Sequence, residues 1–360
     1  MNEMTGKERL LCALGRGVPD RVPTLEWVLD PVVTLAMTGD SDQIDFARKA
    51  GVDGVSVSLD YRKTDIDGRR HIDEWGVTRV SYGEYPTPVG HPVKTMADFE
   101  KLPIPDPDDE SHYQSIRTAL ARCAGDGIAV VARVKDVFSQ PRDLMGFEDW
   151  LLSFYTDPEL SQALMEMCVG HSTRVARNLR ALGVEICVIG DDIATNRGLL
   201  VSPDMFRGQI LPHFARLVQN LKEAGLRVIK HSDGDLHDVL PDLVGTGFDC
   251  IDPIDPLGGM DMADVTAAYG GRVARKGNVD CVETLVSKPA DDVWRETARC
   301  LLEGAGAPGH IISSSNSIHR GINPGNYRAF LDAVHALGAY PLDRGLLAQV
   351  AKDGKAGMAA

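Results

Sequence analysis

The chain has 360 residues, 43% of them hydrophobic, and a formal net charge of −14 at pH 7. That is enough apolar material for a full core, and the negative charge disfavours sequence-independent nucleic-acid binding, which needs Lys and Arg to neutralise phosphates. No apolar run approaches the roughly 20 residues that span a bilayer, and the start MNEMTGKERL lacks a signal-peptide pattern, so a cytoplasmic protein with no membrane association is expected. The cysteines, Cys12, Cys123, Cys168, Cys187, Cys250, Cys281 and Cys300, form no C-x-x-C pair and read as reduced thiols. A small-molecule enzyme and a protein-docking partner fit this composition equally.

Along the chain, Thr5 and Glu8 make a capping box for an opening helix carrying Leu10, Leu11 and Leu14. Pro19 ends it, and a strand over Val22–Trp27 follows, closing on Glu26 and Trp27. A helix near Gln43–Ala50 leads to a strand over Gly54–Leu59 that exits at Asp60. Arg69–Ser81 alternates apolar and polar residues about a glycine, the pattern of a hairpin, and Tyr85–Gly90 reads as a rigid loop. Helix Ser115–Cys123, strand Ile128–Val134, a long helix capped by Asp157 and strand Glu185–Ile189 continue the alternation. That last strand runs into Gly190, Asp191 and Asp192, of which at most one aspartate faces inward. Ser202 and Pro203 start a helix that Pro212 must kink or split.

The stretch Arg227–Asp235, RVIKHSDGD, is a short apolar strand surfacing into a polar loop. His231 and Asp233 lie two apart and so face the same way on an extended backbone, as a pair able to hold a metal or a proton. The other reading is a solvated histidine before a Ser232-Asp233-Gly234 turn. Strands Cys250–Ile254, Val273–Val279 and His310–Ser314 follow, with Asp255, Asn278, Asp280, Asn316 and His319 at or beyond their exits. A last helix starts near Pro324, and the pattern weakens from about residue 341 into a tail expected to fray from Asp353. Eight strands alternating with helices argue for an α/β fold, a closed (β/α)8 TIM-like barrel occupying residues 1–340 as one domain with N-terminal helical and hairpin additions. Polar residues at nearly every strand exit favour the barrel over an open sheet, because barrel chemistry sits at the C-terminal strand ends.

Read together, TGKERLLCALGRGVPDRVP, KLPIPDPDD, GDDIATNRGLLVSPDMFRGQILP, KHSDGD, RKGNVD and SSSNSIHRGINPGNYRAFLDAV resemble the uroporphyrinogen decarboxylase superfamily in order and spacing. The resemblance implies a distorted (β/α)8 barrel with its cleft at the C-terminal strand ends. True decarboxylases of that family carry an arginine-rich segment of the type RQAGRYLPE, where this chain has RVPTLEWVLD. The acidic strand ends are expected to repel a polyanionic porphyrinogen. The segment IDEWGV resembles instead the methyltransferase branch, whose members move methyl groups to or from a corrinoid on a partner protein.

In the coenzyme-thiol methyltransferases zinc is held by a histidine, a cysteine two residues on and a second, later cysteine. Here those positions fall on His231, Asp233 and, on or beside it, Asn316. A histidine with a carboxylate is a harder donor set than two thiolates and suits oxygen ligands. The resemblance therefore implies a corrinoid-dependent O-demethylase component acting on a methyl ether, most plausibly a methoxylated aromatic acid or phenol. Expected catalytic residues are His231, Asp233, Asp191 and His319, with His231, Asp233, Asp255 and Asp280 as candidate Zn2+ ligands. Glu26, Trp27, Asp60, Asn278 and Asn316 are expected around the substrate. The chain has no D-x-H-x-x-G segment, so cobalamin is expected on a separate corrinoid protein. The alternatives are a decarboxylase and a non-catalytic corrinoid- or tetrapyrrole-binding accessory protein.

Overall fold

In the computed structural model the strands are β1 (Gly54–Val57), β2 (Lys63–Asp65), β3 (Arg70–Asp73), β4 (Thr78–Val80), β5 (Thr87–Gly90), β6 (Ala129–Val134), β7 (Ile186–Gly190), β8 (Ala194–Thr195), β9 (Gly198–Leu199), β10 (Arg227–His231), β11 (Cys250–Asp252), β12 (Ala274–Lys276) and β13 (His310–Ile311). The structure describes residues 3–82, 86–190 and 192–359. Seven strands, β1, β6, β7, β10, β11, β12 and β13, pair side by side in that order, all parallel.

The ring is completed by the segment 22–29, which contains the predicted strand Val22–Trp27. It forms isolated bridges instead, Thr24 to Ile312 and Leu29 to Ile318. Its backbone joins both edges: Ile312 N donates to Pro23 O at 2.9 Å, and Asp53 N to Thr24 O at 3.2 Å. Pro23 has no N–H to give a ladder, which is why this stave stays irregular. Asp53 ties it down by accepting from Thr24 N at 2.8 Å while pairing with Arg9 and Arg21, each at 2.8 Å.

Side-chain alternation then decides what fills the barrel. Leu25, Val131, Val188, Ile229, Cys250, Ala274 and Ile311 form an inner apolar layer. The opening helix Gly6–Leu14 adds Leu10, Ala13 and Leu14 to the same cluster and plugs the N-terminal end, where Lys7 N bonds Gly127 O. Two residues further along each strand come Trp27, Arg133, Gly190, His231, Asp252, Lys276 and Ser313, the layer that meets the barrel mouth.

Outside the barrel, β2–β5 make a four-stranded antiparallel sheet. The predicted hairpin is β3 and β4, turning at Gly76, whose φ of 80° suits glycine. The supposed loop after it is in part a strand: Thr87–Gly90 is β5 because Thr87 pairs with Val80, while residues 83–85 lie outside the described residues. Pro212 splits its helix as expected, with a π-helical turn at Phe206–Ile210 before helix Leu211–Glu223. The C-terminal tail, expected to fray from Asp353, is regular through Ala359. Arg344–Asp353 is a helix that buries Leu347 and Val350, and it is followed by 3₁₀ turns in which Lys355 sits over Trp294. Among the described residues no helix is long and apolar enough to cross a membrane.

Candidate active site at the barrel mouth

His231 is the last residue of β10 and is 4% exposed. Its ring stacks on the Trp27 indole, centroids 4.3 Å apart and planes 7° from parallel. Arg133 sits 4.9 Å over the same indole and donates to the Trp27 carbonyl. Gly190 leaves room for it, since a Cβ there would fall 2.6 Å from the indole edge. His231 Nδ1 lies 3.0 Å from Asp252 Oδ2, and Lys276 Nζ is 2.7 Å from Asp252 Oδ1. Burial alone would raise the Asp252 carboxyl, but Lys276 and His231 outweigh it and hold it down at about 2. An ionised carboxylate only accepts, so His231 Nδ1 carries a proton, and in the neutral ring Nε2 presents its lone pair to the mouth. Burial works against a charge on His231 too, yet Asp252 raises its pKa above the ordinary value.

Nε2 points at two carboxylates, Asp233 Oδ1 at 3.7 Å and Asp192 Oδ1 at 3.9 Å. Asp233 is held by Asn316, whose amide donates to Oδ2, and its own backbone N–H donates to Asp192 Oδ1 at 3.2 Å. Asp233 Oδ1 is buried with no hydrogen-bond partner. Burial pushes this carboxyl up to about 7, with the Asp192 charge adding to the rise and His231 opposing it. A desolvated carboxylate oxygen without a donor is unfavourable unless a cation or a proton completes it.

The three donor atoms, all within 4.8 Å of one another, fit a metal ion. Ligands about 2.0–2.2 Å from zinc in a tetrahedron stand roughly 3.4 Å apart, so a small contraction suffices and one position stays open. The second such cluster, Glu74, Asp109 and His112, does not call for a metal, because Arg62 already pairs with both carboxylates.

Asp192 and His231 stand on the wall of a cavity of about 460 Å³ that runs from the barrel mouth beneath the small sheet. The lip is not acidic, contrary to expectation. Lys63, Arg79, Arg133, Lys135 and Arg142 line it against Asp73, Asp143 and Asp192, because the end of β6 brings Arg133 and Lys135, the last turn of helix Ser139–Met145 brings Arg142, and β2 and β4 bring Lys63 and Arg79.

Of the other expected site residues, Trp27 and Asn316 join His231 and Asp233 at the site, and Asp191 lies outside the described residues. Asp255 is engaged by backbone amides, accepting from Gly234 N at 2.8 Å and Leu257 N at 2.9 Å. Asp280 likewise accepts from the amides of Val282 and Glu283 ahead of helix Thr284–Ser287. His319 donates from Nε2 to Cys281 O at 2.9 Å while Nδ1 accepts from Gly321 N. Asp60 holds the start of helix Gln114–Cys123 through Ser115. Asn278 bonds Ile254 O and Cys300 in the core. Glu26 alternates with Trp27 and so faces away from the cavity, where Ser314 donates to it and burial pushes it up to about 7. Asp192, Asp252, Lys276 and Arg133 are the site residues that sequence reasoning missed, although strand parity marks each of them.

A parallel barrel with a buried, carboxylate-anchored histidine facing two acids at the C-terminal strand ends is the architecture of a barrel enzyme. The chain belongs to the uroporphyrinogen decarboxylase (URO-D) family, whose model matches residues 72–337. It is 29% identical over 263 residues to the uroporphyrinogen decarboxylase of Alkalilimnicola ehrlichii, covering 69% of this chain and 68% of that one. The enzyme of the same name from Trichlorobacter lovleyi is 28% identical over 259 residues, covering 69% and 72%. Among solved structures a methyltransferase from Methanosarcina mazei superposes with a TM-score of 0.75 at 19% identity, covering 93% of this chain and 99% of that one. The fold is therefore the URO-D barrel. The family match begins after the segment that carries RVPTLEWVLD.

Proposed function

We propose that the protein is a methyltransferase that moves the methyl group of a small methoxylated aromatic acid or phenol to the cob(I)alamin of a partner corrinoid protein. The observation that carries this reading is the donor set itself. His231 Nε2 faces two carboxylates, and the buried Asp233 Oδ1 lacks a partner at the position where the coenzyme-thiol relatives are expected to carry a thiolate. Carboxylate and imidazole donors favour an oxygen-bearing ligand over a thiol.

In this reaction the bond from methyl carbon to ether oxygen breaks, the methyl carbon joins cobalt, and the leaving aryl oxygen must be stabilised. A zinc ion on His231, Asp233 and Asp192 would supply Lewis-acid polarisation of that oxygen. In the metal-free protein Asp233 keeps its proton up to about pH 7 and can give it to the same oxygen. Asp252 and Lys276 fix the ring of His231, while Trp27 and the wall of the cavity exclude water from the reacting face.

The decarboxylase reading draws on the names of the curated relatives and on the cations of the cavity. Against it stands the missing arginine-rich segment. The discriminating experiment offers purified protein, cob(I)alamin and a panel of methoxyarenes, methylamines and methyl thiols, with uroporphyrinogen in a parallel arm. Loss of the cob(I)alamin absorbance with methoxyarenes alone supports the proposal. Release of carbon dioxide from uroporphyrinogen with no methyl transfer sinks it, and activity in neither arm points to the accessory protein.

A further inference from the structure

The cations of the cavity differ in what they are paired with. Arg79 is saturated, 2.7 Å from Asp73 and 2.7 Å from Asp143. Among the described residues Arg142, its side chain 27% exposed, has for an ion pair the remaining oxygen of Asp143 at 3.8 Å, beyond hydrogen-bond reach. Lys135 is partly buried at the end of β6 and has no ion pair among the described residues. Close to Lys135 stands His171, from helix Pro158–Ala181, 6% exposed and lining the same cavity. The Pro105 carbonyl can serve one of its ring nitrogens, and the other has no hydrogen-bond partner among the described residues. Burial holds this histidine neutral, with its pKa down at about 4. Trp75 packs edge-on to His171 with centroids 4.8 Å apart, so the polar groups are set in an aromatic wall.

We infer that the substrate is a methoxylated aromatic carboxylate, and that Lys135 and Arg142 read its carboxylate with His171 donating or accepting one hydrogen bond beside them. This rests on the methyltransferase reading above and narrows it from acids and phenols to acids. A partly desolvated ammonium without an ion pair, beside a guanidinium that its one carboxylate neighbour does not hydrogen-bond, is unfavourable in the free protein, and a ligand carboxylate would serve both, with the guanidinium able to bind it through two parallel N–H groups. A neutral phenol would leave the Lys135 ammonium without an ion pair and the Arg142 guanidinium with the Asp143 contact alone. Lys135 and Arg142 share one cavity with His231 and Asp192, so a ring anchored by its carboxylate can present another substituent to the latter pair.

The test is calorimetric and needs no turnover. The full-length protein is titrated with 3-methoxybenzoate, 3-methoxybenzamide and inorganic phosphate, and the measurement is repeated for Lys135→Gln, Arg142→Gln and Lys135→Arg. The acid is expected to bind at least about tenfold more tightly than the amide, and phosphate more weakly than the acid. Each glutamine variant should bring the acid-to-amide ratio close to one, while Lys135→Arg keeps it. Because the ratio is taken within each variant, a general loss of stability does not imitate the result. Equal binding of acid and amide, no binding of either, phosphate binding as tightly as the acid, or an unchanged ratio in both glutamine variants overturns the inference. Tight, charge-dependent binding of the acid without methyl transfer would leave the anion site standing and remove the methyltransferase reading. Equal transfer from acid and amide would do the reverse.

Discussion

Asp252 and His231 meet at 3.0 Å across adjacent strands, and that contact decides which nitrogen of the imidazole is left for chemistry. The register of β10 on β11 puts the two residues directly opposite one another, and Lys276 on β12 keeps the carboxylate charged. Asp252→Asn should therefore act on the site without touching it. The amide can present N–H to Nδ1 and reverse the tautomer, so metal affinity is expected to fall about 10- to 100-fold, as for other partners of metal-bound histidines. Leaving Lys276 buried without its counter-charge should also cost about 3–5 kcal/mol in stability. Chelator competition and denaturant melts read the two effects separately.

Asp233→Ala should separate function from stability. The substitution removes a buried, unpartnered oxygen and a carboxyl that is expensive to ionise, so the melting temperature is expected to hold or rise. Methyl transfer and metal retention should both be lost. A variant that melts lower and keeps its metal would show that Asp233 is a structural turn residue.

Gly190→Ala tests the stack. A Cβ there would stand 2.6 Å from the Trp27 ring, whose indole must shift and take the His231 contact with it. Overpacking of this kind typically costs about 1–3 kcal/mol. The transfer rate should drop by more than the stability loss accounts for, read as kcat against fraction folded. An unchanged kcat would mean that Trp27 only fills space.

Glu26 predicts a pH dependence. Burial raises its carboxyl to about 7 in the folded protein, above the ordinary value near 4.5 that the unfolded chain has. Below the unfolded value both states are protonated and no penalty applies. As pH rises from about 4.5 to 7 the unfolded state ionises first, so folded stability falls, by roughly 3 kcal/mol over the window. Glu26→Gln should flatten that part of the profile in denaturant melts at fixed pH. A variant with the same slope as the parent would contradict this assignment.

Much of this was legible in the sequence: the barrel in the alternation of strands with helices and in the polar strand exits, and the inward pair His231 and Asp233 in the two-residue period of a strand. The same parity, run from Val188 through Gly190, selects Asp192 as an inward aspartate, yet the expectation settled on Asp191. Glu26 was taken for a pocket residue, but its neighbour Trp27 has the inward parity. Asp252 and Lys276 have the inward parity too, but their roles show only where they meet His231 and each other across neighbouring strands. Asp255, Asp280 and His319 looked like ligands because loop aspartates and histidines do, and their backbone bonds appear only in three dimensions. Lys135, Arg142 and His171 meet through tertiary packing that no local pattern encodes, and so the basic character of the cavity was missed.

The central claim is that His231, Asp233 and Asp192 hold a metal that serves methyl transfer, and elemental analysis tests it most directly. Protein purified without chelators, and again after reconstitution with Zn2+ and gel filtration, should carry close to one equivalent of metal per chain. His231→Ala and Asp233→Ala, folded by circular dichroism, should carry almost none. A parent protein that retains no metal after reconstitution, or variants that retain as much as the parent, would contradict the account.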